Sequence, residues 1–165
     1  MNAILNNAGL ESVRRDGFPL KAVRDRYKVK RKLPEPTLCP GCGAVFKDGC
    51  WQWQELSVAH EETCPACRRQ HDNFPAGFVA LSGGFVAAHE AAIFRIVLNQ
   101  EEREKVENPL RRVMDIEKSS HGLLVTTTDV QLACDIGEAL RQAFHGELYL
   151  NYSRQANRLQ VNWRR

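Results

Sequence analysis

From residue 77 onward the apolar positions alternate between two spacings, and that alternation outlines a fold. Phe78 to Leu81 is a short apolar run closed by Ser82-Gly83-Gly84, which predicts a strand and a turn. Phe85 to about Val97 carries Val86, Ile93, Ile96 and Val97 at helical spacing, so a helix follows. Asn99 with Glu102 three positions on resembles a helix start, predicting a second, kinked helical piece that runs to Glu107 before Pro109. Arg112, Met114 and Ile116 interleave with Val113, Asp115 and Glu117 as in a half-exposed strand. Ser119-Ser120-His121-Gly122 then turns the chain into a buried strand, Leu123 to Thr127. Thr128 or Asp129 can cap the next helix, on which Leu132, Ala133, Ile136, Leu140, Ala143 and Phe144 recur until Gly146. Leu148, Leu150 and Tyr152 match Leu159, Val161 and Trp163 across a hairpin at residues 153–157. The order is βαββαβ with one added C-terminal strand, a ferredoxin-like α+β arrangement.

Upstream the pattern is sparser. Ala44-Val45-Phe46 and Trp51-Gln52-Trp53 are short strand-like runs joined by Lys47-Asp48-Gly49, whose Asp-Gly pair signals a hairpin turn. Strand alternation puts both tryptophans on one side, where they pack on the second domain or stand exposed as anchors for a partner. Residues 1–36 lack a sustained period and end in Leu33-Pro34-Glu35-Pro36, which disfavours helix. Three regions result: a flexible basic arm (1–36), a small ribbon (37–74) and the ferredoxin-like domain (75–165).

A unit as small as the ribbon buries little core and needs a staple. The staple is legible in Cys39-Pro40-Gly41-Cys42 and Cys64-Pro65-Ala66-Cys67, a C-x2-C-x21-C-x2-C arrangement of four soft ligands. Tight turns at Pro40, Gly43 and Pro65 let each pair face one ion, and four thiolates fill the tetrahedral shell of one structural Zn²⁺. A redox-active C-x-x-C or two disulfides are the alternatives; neither an export signal nor a thioredoxin-like βαβ pattern accompanies them. Cys50 and His60 are two further side chains that could enter the shell, while Cys134 falls in a predicted helix as a small core residue.

Composition places the chain among soluble proteins: of 165 residues 43% are hydrophobic and 26% charged, and no apolar run approaches the roughly 20 residues that span a bilayer. The first twenty residues contain no secretory h-region, so a cytoplasmic protein with reduced thiols is expected, without membrane attachment. The net charge of +3 is uneven, because residues 1–36 hold nine Lys or Arg against four Asp or Glu. The surplus is densest from Lys21 to Lys32, where Lys21, Arg24, Arg26, Lys28, Lys30, Arg31 and Lys32 face only Asp25. Such a run is either a solubilising tail or a phosphate-binding arm. Tyr27 within it could stack on a base. Arg68 and Arg69 beside Cys67 could offset the negative charge of a tetrathiolate centre and contact phosphates as well.

The cysteine pairs, Trp51 and Trp53, Pro75-Ala76-Gly77, and the run Val125 to Ala133 followed by Ile136-Gly137-Glu138-Ala139-Leu140 resemble a family of small uncharacterised bacterial zinc-ribbon proteins. More distantly they resemble the zinc-ribbon and adjoining α/β region of the archaeal and eukaryotic adaptor of the large ribosomal subunit, in the nonsense-mediated decay protein family. The likeness covers roughly Cys39 to Trp163. It implies zinc held by Cys39, Cys42, Cys64 and Cys67, and association with structured RNA or a ribosomal particle. The adaptor's further zinc-binding and β-rich regions have no counterpart here. Thr126-Thr127-Thr128-Asp129 also has an ordinary reading as a strand end and helix cap.

The expected function is that of a noncatalytic zinc-ribbon protein binding RNA or the ribosome, with Lys28, Lys30, Arg31, Lys32, Arg68 and Arg69 on phosphates. The alternative is a zinc-stabilised protein-interaction adaptor that binds no RNA. The last hairpin offers Tyr149, Asn151, Arg158, Gln160, Asn162 and Arg164 on one face, while the two central strands, near Val79 and Val125, lack the paired aromatics of an RNA-recognition motif. An enzyme is not expected, nor a nucleotide cofactor: there is no phosphate loop and hence no ATPase of that type, His89-Glu90 lacks the second histidine of H-E-x-x-H, and no H-x-E accompanies Cys64-Pro65-Ala66-Cys67.

Overall fold

The structure, a computed structural model, describes residues 9–14, 27–57 and 60–165. It is a mixed α+β protein with two sheets and, among the described residues, four helices. None of those helices is long and apolar enough to cross a membrane.

The smaller sheet belongs to the unit that holds both C-x2-C pairs. It contains β2 (Thr37–Leu38), β3 (Ala44–Lys47), β4 (Cys50–Trp53) and β5 (His60–Glu61) in the order β4-β3-β2-β5. The Asp-Gly signal is used as expected: Asp48 and Gly49 both have positive φ (53° and 79°), as a tight β3–β4 hairpin turn requires. Immediately after β5 comes a helix that periodicity did not reveal, α1 (Pro65–Asp72). It is short and polar, and Asn73 ends it in the left-handed region.

The larger sheet comprises β1 (Glu11–Val13), β6 (Gly77–Ser82), β7 (Val113–Ser119), β8 (Gly122–Thr127), β9 (Glu147–Ser153) and β10 (Arg158–Arg164), ordered β1-β9-β10-β6-β8-β7. Helices α2 (Gly84–Ala88), α3 (Glu90–Glu107) and α4 (Val130–Phe144) complete the unit, and residues of all three join the strands in one apolar core. Its centre is Val79, Leu81, Ile93, Val125, Leu132, Ile136, Leu159, Val161 and Trp163, with Cys134 buried at its margin.

Three details differ from the expected arrangement. A ferredoxin-like order would seat the strand that follows α4 beside β6, but β10 takes that place, parallel to β6, and β9 lies outside it. Burial explains the exchange: Leu159, Gln160, Val161 and Trp163 of β10 are all buried, whereas β9 keeps Tyr149 more than half exposed. The helical break falls at His89 rather than at Asn99, so Glu90 to Glu107 is one continuous helix. His89 stacks on Phe85 at 3.8 Å between ring centroids, and its backbone leaves the helical region (φ −126°, ψ 26°). Within the arm, Glu11–Val13 pairs with β9 and so forms an edge strand; Lys21, Arg24, Asp25 and Arg26 lie outside the described residues.

Gly77 marks the closest approach of β6 to α4. A methyl group there would lie 2.3 Å from Thr127 Oγ1 and 2.5 Å from Ala133 Cβ, both in fully buried residues that cannot swing aside. Gly77→Ala is therefore expected to destabilise the protein by about 1–3 kcal/mol through overpacking, measurable as a lower urea midpoint at unchanged slope. An unchanged midpoint would show that β6 and α4 can separate freely.

Candidate metal centre

Cys39 and Cys42 flank the tight turn between β2 and β3, while Cys64 and Cys67 belong to the start of α1. The four sulfurs lie within 4.8 Å of one another, close enough to hold a metal ion. Cys42 Sγ and Cys64 Sγ are 3.8 Å apart. Zinc–sulfur bonds of about 2.3 Å in a tetrahedron require sulfurs about 3.8 Å apart, so the donor set fits zinc. A disulfide would need about 2.0 Å, and all six cysteines are free thiols. Neither Cys50 nor His60 is in the cluster: both are exposed, and the Cys50 sulfur lies 3.6 Å from Lys47 O.

Backbone geometry supplies further support for negative sulfur. Cys64 is the N-cap of α1, its sulfur accepting from Cys67 N at 3.4 Å, while its own N–H donates to Cys39 Sγ at 3.2 Å. The positive end of the helix thus faces the cluster. Gly41 sits against it as well; a Cβ there would be 3.2 Å from Cys67 Sγ. Burial works against ionising Cys39, yet the backbone N–H groups of Cys64, Cys42 and Gly41 prevail and bring its pKa down to about 7. Cys64 moves the other way, because burial and the neighbouring cysteine charges raise it. Burial also raises Cys67, against the pull of Arg112. Four thiolates held this close repel one another, which is the electrostatic condition a bound cation relieves.

Arg112 is the residue that sequence reasoning missed. The alternating pattern assigned it to a half-exposed strand, but it precedes β7, is only 6% exposed, and reaches the metal centre from the larger unit. One terminal nitrogen donates to Cys67 Sγ (3.2 Å) and Gln70 Oε1 (3.2 Å), the other to Cys64 Sγ (3.5 Å), and Nε donates to Pro109 O (2.8 Å). Burial alone would disfavour the cation; the bond to Cys67 and the charges on Cys42, Cys64 and Cys67 outweigh that and raise its pKa further. The planar guanidinium is suited to this task because its N–H groups fan toward several acceptors at once.

The Thr-Thr-Thr-Asp motif turns out to serve both units. Asp129 caps α4 by accepting from Leu132 N at 3.0 Å. Thr128 instead holds the chain that carries Arg112: its hydroxyl accepts from Arg112 N (2.9 Å) and donates to Leu110 O (2.6 Å), while its N–H donates to Arg112 O (2.9 Å). A second tie comes from Trp53, whose indole N–H donates to Lys105 O at the end of α3 (2.7 Å), although its ring remains partly exposed. Trp51 lies against the cysteine cluster with Leu110.

The six basic residues expected on phosphates have different surroundings. Lys28, Lys30 and Lys32 are exposed. Arg31 and Arg68 both pair with Glu62, at 2.7 Å and 2.9 Å. Arg69 is only 2% exposed; it donates to Phe74 O, and its guanidinium lies 4.4 Å from the Tyr27 ring centre, so it is withdrawn from any phosphate surface. Tyr27 is itself engaged there, its hydroxyl donating to Asp72 at 2.9 Å. The charge compensation assigned to Arg68 and Arg69 is thus supplied by Arg112. Comparison of the chain with family models, with curated proteins and with solved structures finds no match.

Proposed function

We propose that this is a noncatalytic zinc-ribbon protein in which one structural Zn²⁺ is held by Cys39, Cys42, Cys64 and Cys67, and which binds structured RNA or a ribosomal particle through the basic segment beside it. The zinc assignment draws on four thiolates that already fill a tetrahedral shell, leaving no position for an activated water. The observation that carries the RNA reading is the presentation of Lys28, Lys30 and Lys32. Buried Leu33 and the Arg31–Glu62 pair fasten their segment onto the cysteine-bearing unit, so three exposed ammonium groups stand along one short stretch of surface. Cations placed this way bind phosphates by releasing counterions.

The test uses the full chain with Lys28, Lys30 and Lys32 changed together to glutamine, sedimented with ribosomal particles and titrated with RNA at several salt concentrations. Three lost phosphate contacts are expected to reduce the magnitude of the slope of log K against log salt by about two to three. Comigration that ignores both salt and the substitutions, or that survives nuclease digestion on a protein partner, would favour the adaptor reading.

A further inference from the structure

Beside the metal centre a cavity of about 360 Å³ opens between residues 28–33, the β3–β4 hairpin and the loop at 108–110. That volume lies within the range of small-ligand sites, about 300–1,000 Å³. One wall is aromatic: Phe46 and Trp51 meet edge to face, ring centroids 5.6 Å apart, and Trp51 is only half-buried. Leu33 and Leu110 add aliphatic surface. Lys28 and Arg31 supply positive charge from the basic segment, and the Arg31 bond to Glu62 uses only one of its terminal nitrogens.

This lining discriminates among guests. An aliphatic molecule would desolvate two cations without compensation, and a bare phosphate would leave the aromatic wall uncovered. A nucleotide answers both, since every base has a π-face to stack and its phosphate carries the charge. We propose that this cavity is a nucleotide-binding site, with the base against Phe46 and Trp51 and the phosphate toward Lys28 and Arg31. The nucleotide is either free or one residue of single-stranded RNA; the second source rests on the RNA reading above, the first does not.

Cys50 also lines the cavity and is exposed, whereas Cys134 is buried and the other four cysteines form the metal cluster. Its alkylation in the zinc-loaded full chain therefore reports occupancy, with adenosine 5′-monophosphate, a ten-residue oligoadenylate and inorganic phosphate as separate probes. At ten times its Kd a bound nucleotide is expected to slow alkylation of Cys50 about tenfold. Lys28→Glu, a surface change that leaves the fold intact, should weaken that protection about fivefold or more. Protection by the mononucleotide and the oligonucleotide alike supports a site for free nucleotide, and protection by the oligonucleotide alone supports an RNA residue. Equal protection by inorganic phosphate, or none from any probe while the protein still comigrates with ribosomal particles, overturns the cavity assignment and leaves the RNA reading standing. Protection by the mononucleotide without comigration does the reverse.

Discussion

Cys64→Ser is expected to abolish metal retention and to unfold the cysteine-bearing unit while most of the larger sheet persists. The substitution is chosen because serine is itself a good N-cap, so the start of α1 is preserved and the loss reports ligation. Structural zinc sites supply about 10–16 kcal/mol of apparent binding free energy, and here little else could replace it. Among the described residues the buried cluster at the site contains only Cys39, Cys64 and Ala66, against seventeen buried residues in the core of the larger unit. Metal analysis should show zinc falling from one equivalent to near none. Hydrogen exchange should show protection lost at residues 37–72 and kept in β6, β8 and β10. Disruption should also reach residues 110–113, because Arg112 would lose the sulfurs that balance its charge. Full zinc content in the variant, or protection retained at residues 37–72, would defeat the assignment.

Arg112→Met should carry the next largest effect, about 3–5 kcal/mol, because deleting one partner of a buried charged group leaves the other uncompensated. Methionine keeps much of the apolar stem but no donor, so Cys64 and Cys67 lose their hydrogen bonds from the larger unit. The expected readout is faster zinc release to a chromogenic chelator, together with a lower unfolding midpoint. Arg112→Lys separates charge from geometry. An ammonium retains the positive charge but not the fan of donors that reaches two sulfurs and Gln70 together, so partial rescue of the midpoint with poor rescue of zinc retention is expected. Wild-type zinc retention in Arg112→Met would mean that the guanidinium only fills space.

Both expectations concern the joint between the two units, and that joint was poorly legible from the chain. Thr128 reads locally as part of a cap, and it was Asp129 that took that role. Nothing local to Thr128 reveals that its hydroxyl also grips residues 110 and 112. The same holds for Arg69, which looks like an exposed cation beside Cys67 and is in fact covered by Tyr27 from the arm. Charged side chains with long stems choose partners by tertiary proximity, and their sequence neighbours carry little information about that choice.

The sequence by itself determined what depends on short spacing. Two C-x2-C pairs specified the four clustered sulfurs, Asp48-Gly49 specified the hairpin turn, and the recurrence from Leu132 to Phe144 specified α4. The turn within each cysteine pair, the hairpin turn and the helix are settled by backbone geometry over a few residues, and the ligand chemistry of the sulfurs brings the two pairs together. Only the tertiary structure decided that β10 rather than β9 lies against β6, that Arg112 reaches sulfurs 45 and 48 residues away, and that the basic segment, the hairpin and the 108–110 loop enclose one cavity. Those outcomes depend on which surfaces exclude water together once the elements meet, and a periodicity of two or 3.6 residues does not encode that selection.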